Sequence, residues 1–145
     1  MSNRILLDTN IFITGYRTLT SEEGQVITLL RNRAADVLLL SFPLEEQIRR
    51  VARRIVGKDW AGLIFSRLWH DFAVEYISLP DRPLAVAQAL APEIPREDLL
   101  IYLTAVVGNA TLFISGNRKF LREAATQQQL FTCLTPAEFL ARNIG

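Results

Sequence analysis

Residues 36–41 read Asp-Val-Leu-Leu-Leu-Ser, with four apolar side chains in an unbroken row. Successive side chains of a strand point to opposite faces, so such a run places both faces in apolar surroundings. A sheet meets that condition when helices cover both of its sides, which is the situation of parallel sheets. Arg-Ile-Leu-Leu-Asp at 4–8 has the same character. Tyr-Ile-Ser-Leu-Pro at 76–80, Thr-Leu-Phe-Ile-Ser at 111–115 and Leu-Phe-Thr-Cys-Leu at 130–134 read as further short strands.

Helical patterns fill the intervals. Residues 21–35 form one, with Ser21 as cap and Glu22 and Glu23 at its positive end. Residues 43–57 form another, with Pro43 in the first turn and Gly57 at the close. Residues 60–75 form a third, with Leu63, Leu68 and Phe72 as core candidates. Residues 83–94 are helical up to the break near Pro92 and Pro95, and 96–109 form a buried helix stopped by Gly108 and Asn109. Short helices follow at 118–125 and 135–143, the last opened by a capping box of Thr135 and Glu138. Strands alternating with helices predict an α/β fold, with a central parallel sheet and helices on both faces. The length, 145 residues, suits a single domain over 1–145.

In such sheets the working site lies beyond the C-terminal ends of the strands. Asp8 stands at one such end. Glu45 and Glu46 follow the second strand, and Ser115, Gly116 and Asn117 follow another. Each acid also has a purely local role. Asp8-Thr9-Asn10 is good helix-cap chemistry. Glu45 and Glu46 each precede an arginine, Arg49 and Arg50, by four positions, the favoured order for helical ion pairs. Asp98 and Glu97 complement a helix dipole. Taken together, Asp8, a paired glutamate and Asp98 could converge. Carboxylates held close repel one another, which favours an oxygen-seeking divalent cation such as magnesium.

The net charge of +1 gives no global basic field, so nucleic-acid contact requires a local patch. Arg49, Arg50, Arg53, Arg54 and Lys58 supply one, and Arg118 and Lys119 a second. Cys133 is the lone cysteine and excludes an internal disulfide, in keeping with a reducing cytoplasm. His70 has no partners at zinc spacing. Asp8 interrupts the opening apolar segment, so no signal peptide is expected, and no apolar run reaches membrane-spanning length. The phosphate-binding loop, dinucleotide fingerprint and serine-hydrolase elbow are all missing from the sequence. Trp60, Trp69 and Phe72 form an apolar set on the central helix, read as core packing first and as a partner surface second.

Four stretches in order carry a resemblance. "ILLDTNIFI" (5–13) resembles the opening of the PIN-domain family of metal-dependent nucleases, and "SFPLEEQIRR" (41–50) its second motif. "EDLLIYLTAVVGNATLFISGN" (97–117) resembles the third motif, and "LTPAEFL" (134–140) a common ending. The likeness runs from Arg4 to about Leu140 and is nearest to the ribonuclease (VapC-like) toxins of bacterial toxin–antitoxin pairs. It implies a three-layer PIN-like domain, an endoribonuclease using Mg²⁺ or Mn²⁺, an RNA substrate, an antitoxin protein and a homodimer as partners, and a cytoplasmic location. It also implies roles. Asp8, Glu46 and Asp98 would be the catalytic metal ligands, with Asn117 catalytic beside them and Asn10 and Ser115 in support. Glu45 is the alternative second acid, and another register puts Gln47 there. Arg49, Arg53, Arg118 and Lys119 would meet RNA. Many relatives have a further acid after the strand ending near Ser115. Here that stretch is "SGNRKFL", with Phe120 in the place of the acid. That departure supports a second reading, a module that has lost catalysis and binds RNA or a protein without cutting.

Overall fold

The computed structural model describes residues 3–127 and 130–143. Among them are five strands: β1 (Arg4–Leu7), β2 (Val37–Ser41), β3 (Ala73–Ile77), β4 (Leu112–Ile114) and β5 (Thr132–Leu134). They form one sheet in the order β3-β2-β1-β4-β5, every neighbouring pair parallel. The eight helices are α1 (Thr9–Arg17), α2 (Glu22–Arg31), α3 (Phe42–Ile55), α4 (Lys58–Asp71), α5 (Pro83–Leu90), α6 (Arg96–Val107), α7 (Arg118–Gln127) and α8 (Pro136–Asn143). This is the expected α/β architecture.

Chain direction explains the layers. From β1 the chain steps outward to β2 and β3, then crosses back to β4 and β5. Right-handed crossovers put α1–α4 on one face and α5–α7 on the other. The centre of the sheet is consequently dry: Leu6, Leu7, Leu39, Leu40 and Ile114 are all fully buried. Transfer of such side chains from water contributes roughly 1.5–3 kcal/mol each.

Local signals mostly act where the sequence places them. Ser21 accepts from the Gly24 N–H at 3.0 Å, and Thr135 and Glu138 close the capping box at 3.1 and 2.9 Å. Gly57 turns the chain between α3 and α4 at φ 149°, a backbone state that disfavours a side chain.

Three expectations are corrected. Helix α4 ends at Asp71, and β3 begins at Ala73, so Ala73, Val74 and Glu75 are strand rather than helix. Tyr76–Ile77 is the end of that strand and not its start. Parallel pairing of Ala73–Ile77 with Val37–Ser41 on β2 outweighs the preceding helical pattern. Second, Leu63 is 60 % exposed and Trp69 50 % exposed, because Ala61, Ile64 and Leu68 supply the inward stripe of α4. Third, the i, i+4, i+7 spacing of Ile48, Ala52 and Ile55 predicts one core face for all three, but Ile55 is exposed at the last turn of α3. Among the described residues no helix is long and apolar enough to cross a membrane.

Candidate functional site

The chain reverses its direction of travel across the sheet between β1 and β4, which are neighbours at the centre. A crevice opens at such a switch point, outside the carboxyl ends of the two strands. Leu7 is in register with Ile114, and the Asp8 N–H donates to the Ile114 carbonyl at 3.0 Å. The residues that follow, Asp8 and Ser115, therefore face each other across the crevice.

Asp8 is held from two sides. One carboxylate oxygen accepts from the Thr9 N–H at 2.8 Å, capping α1, which starts at Thr9. The other accepts from the Ser115 hydroxyl at 2.6 Å. Ser115 is fully buried, and its oxygen also accepts from the Asn117 N–H at 3.0 Å. Burial pushes the Asp8 carboxyl above its ordinary range, while the bonds from Ser115 and Thr9 pull it back.

Asp98 comes from the first turn of α6, whose N-terminus lies at the same edge. It is half-buried, and its pKa is pushed up to about 6. Desolvation is the largest cause, followed by the charges of Asp8, Glu97 and Glu123, with Lys119 acting in the opposite sense. Asp8 and Asp98 thus feel each other electrostatically, and Glu123 on α7 adds to the same negative field. Lys119 pairs with Glu123 at 4.0 Å. Glu123 was not among the residues singled out from the sequence. Its position four residues after Lys119 marks a helical ion pair and not a place near Asp98.

The second acid is where structure and expectation part. Leu44, Ile48 and Ala52 are fully buried and set the inward face of α3. Two positions on a helix are about 160° apart, so Glu46 points away from Ile48. It is exposed and lines a groove with Arg49, Arg50, Arg53 and Arg54. Glu45 is paired with Arg49 at 3.1 Å and lies beside Tyr76. Gln47 is the residue turned toward the crevice, where its amide oxygen accepts from the buried Thr9 hydroxyl. The register that puts Gln47 at this position is the one the structure adopts, and it brings neither Glu46 nor Glu45 to Asp8.

The other expected residues divide. Asn117 caps α7, its side-chain oxygen accepting from the Phe120 N–H at 3.1 Å. Phe120 is buried edge-to-face on Phe113 with centroids 5.2 Å apart, so that position belongs to the core and leaves no room for an acid. Asn10 is exposed and its side chain makes no hydrogen bond among the described residues. Arg118 lies toward Glu138 in a cleft shared with Thr135 and Cys133. Lys119 pairs with Glu123, and its charge reaches Asp98 as the weakest of the influences on that carboxyl. Arg49 stacks 4.8 Å over the Phe65 ring, and Arg53 is exposed. His70 is exposed.

Two carboxylates, an amide oxygen and a hydroxyl make an all-oxygen donor set at one crevice, the chemistry that hard cations select. Among the described residues no three His, Cys, Asp or Glu side chains close into a preformed cage. Magnesium does not require one, since it binds through one or two carboxylates and retains waters. The repulsion that raises Asp98 is what a divalent ion would relieve, so the residues fit one.

No protein-family model matches this chain, and no curated protein sequence matches it. Solved structures do. A chain of the crystal structure of VapBC2 from Rickettsia felis, bound to a DNA fragment from their promoter, superposes with a TM-score of 0.66. It is 17 % identical, covering 91 % of this chain and 98 % of that one. A chain of VapBC-1 from nontypeable Haemophilus influenzae superposes with a TM-score of 0.62 at 19 % identity, covering 92 % and 98 %. At these identities the likeness establishes the fold.

Proposed function

We propose that this chain, which has the fold of a VapC-like PIN domain, is a metal-dependent endoribonuclease and the toxin of a toxin–antitoxin pair acting in the cytoplasm. The observation that carries the reading is Asp8 at the switch point, fixed by Ser115 at the end of the neighbouring strand, with Asp98 on α6 close enough for the two charges to act on each other. Asp8 and Asp98 would hold Mg²⁺ or Mn²⁺, with the Gln47 oxygen nearby. When bound, the ion supplies charge neutralisation for the phosphodiester and activation of water. Ser115 keeps one Asp8 oxygen oriented, and Thr9 keeps the other, so the carboxylate needs no reordering to bind. Lys119, whose charge is felt at Asp98, offers a positive group for a phosphate of the RNA. The VapBC neighbours support an antitoxin protein as partner, and the exposed Leu63 and Trp69 on α4 offer apolar surface to it or to a second copy.

A second reading has its own observation. Gln47 in place of an acid, with Asn117 used as a helix cap, leaves two carboxylates at the crevice centre, as in a module that binds RNA without cutting. Incubation of a mixed RNA pool with the protein and Mn²⁺ or Mg²⁺, against Asp8→Asn and against chelator, separates the two. Cutting that needs metal and Asp8 supports the nuclease. RNA retained but uncut by the unmodified protein supports the binding module.

A further inference from the structure

The four arginines of α3 do not share one environment. Arg49 is committed to its own molecule, donating to Glu45 at 3.1 Å and lying over the Phe65 ring. Arg50, Arg53 and Arg54 are exposed and form no ion pair or hydrogen bond among the described residues. With Glu46 and Arg49 they line an open groove, so one carboxylate faces four guanidinium groups, of which only Arg49 has a carboxylate partner of its own. Uncompensated like charges at this spacing favour an anionic partner.

Gln47 fixes how this groove relates to the carboxylates, because its side chain reaches Thr9 beside Asp8. Arg50 and Arg54 are three and seven positions beyond Gln47, and so fall on the same edge of the helix. Arg49 and Arg53 fall further round. The N-terminus of α3 is at the site edge of the sheet, and the helix runs away from it. Arg50 and Arg54 therefore stand about 4.5 and about 10.5 Å along the axis from Gln47. At about 3.4 Å rise per stacked nucleotide, that stripe spans roughly three nucleotides. A guanidinium fork suits phosphate through two parallel hydrogen bonds.

We infer that Arg50 and Arg54 form a phosphate track along α3, on which a single-stranded RNA leaves the Asp8–Asp98 crevice. This rests on the nuclease reading for its substrate and replaces Arg49 and Arg53 as the α3 residues that meet RNA.

The test uses the full chain in EDTA, so that no cutting intervenes, and a fluorescein-labelled 12-nucleotide single-stranded RNA followed by anisotropy over a range of NaCl. The Arg50→Ala/Arg54→Ala double variant should weaken binding at least tenfold at 50 mM NaCl. It should also lower the slope of log K against log salt by about 1.4, or about 0.7 for each lost contact. Arg53→Ala should change affinity less than twofold. These positions are exposed, so unchanged melting temperatures establish that the variants fold. Unchanged RNA affinity and slope in the double variant would overturn the track, as would failure of the unmodified protein to bind the RNA. Loss of binding to a poly-glutamate peptide alone, with RNA affinity intact, would also overturn it and assign the stripe to an acidic protein segment. Cleavage of the same RNA with Mn²⁺ keeps the two claims apart. Cutting with unaltered KM in the double variant refutes the track and leaves the nuclease standing. Binding lost in the double variant, with no cutting by the unmodified protein, supports the track and refutes the nuclease.

Discussion

Replacing Asp98 by asparagine should stabilise the protein in the absence of metal. The carboxyl rises from 3.8 to about 6, through burial first and then the charges of Asp8, Glu97 and Glu123. The folded state thus binds a proton more readily than the unfolded chain. An acid raised in this way is without penalty below about pH 4. It costs progressively more stability as pH rises toward 6, and carries its full cost above that. A fully dry site would make that cost about 3 kcal/mol. Asp98 is half-exposed, and solvent screening brings it to about 1–2 kcal/mol. Loss of its favourable place in the first turn of α6 takes back about 0.3–1 kcal/mol. The net gain lies between about 0 and about 1.7 kcal/mol, centred near 1 kcal/mol. For a chain of 145 residues a change of 1 kcal/mol moves Tm by about 3 °C. Differential scanning fluorimetry in EDTA should show Asp98→Asn melting about 3 °C above the unmodified protein at pH 8, with the gap closing toward pH 4. Added Mn²⁺ should then raise Tm for the unmodified protein and not for the variant. A variant that melts lower at pH 8, or a gap that does not change with pH, would refute the electrostatic reasoning.

Three further outcomes follow from the same contacts. Ser115→Ala removes the bond to the buried Asp8 carboxylate, while the exposed Asn117 N–H can turn to water, so urea unfolding should show a loss of about 1–3 kcal/mol from the charged partner. Losing that bond also lets the Asp8 carboxyl rise further, which should shift the acidic limb of a metal-binding pH profile to higher pH. Gln47→Glu keeps an acceptor for Thr9 and adds a carboxylate at the crevice; apo Tm should fall and the Mn²⁺-induced rise in Tm should grow, measured side by side. Phe120→Ala empties the contact with Phe113 and should cost about 3–5 kcal/mol in chemical denaturation.

Much of the fold was legible because its signals are local. The apolar run at 37–40 demands cover on both faces, and capping residues such as Ser21 and Thr135 work within one turn. The start of β3 was not legible, since Phe72-Ala73-Val74-Glu75 continues a helical pattern and only pairing with β2 makes it a strand. At the site, Asp8 was marked by its place after an apolar strand, but its partnership with Ser115 spans 107 positions and required the sheet order. Glu46 against Gln47 turned on which side of α3 meets the core. The register anchored on "IRRVARR" (48–54) favoured Gln47, a core face through Ile48 and Ala52 turned Glu46 outward and left Glu45 nearer the flank, and the family wording favoured Glu46. The influence of Glu123 on Asp98 joins α7 to α6, and no local spacing predicts it.

The most direct measurement is the cleavage rate of one end-labelled RNA against Mn²⁺ concentration for the unmodified protein, Asp8→Asn and Glu46→Gln. The account predicts a saturable, metal-dependent rate that is lost in Asp8→Asn and changes less than about threefold in Glu46→Gln, a surface substitution away from the crevice. Cutting that survives Asp8→Asn, or that disappears in Glu46→Gln, would contradict the site built on Asp8 and Asp98.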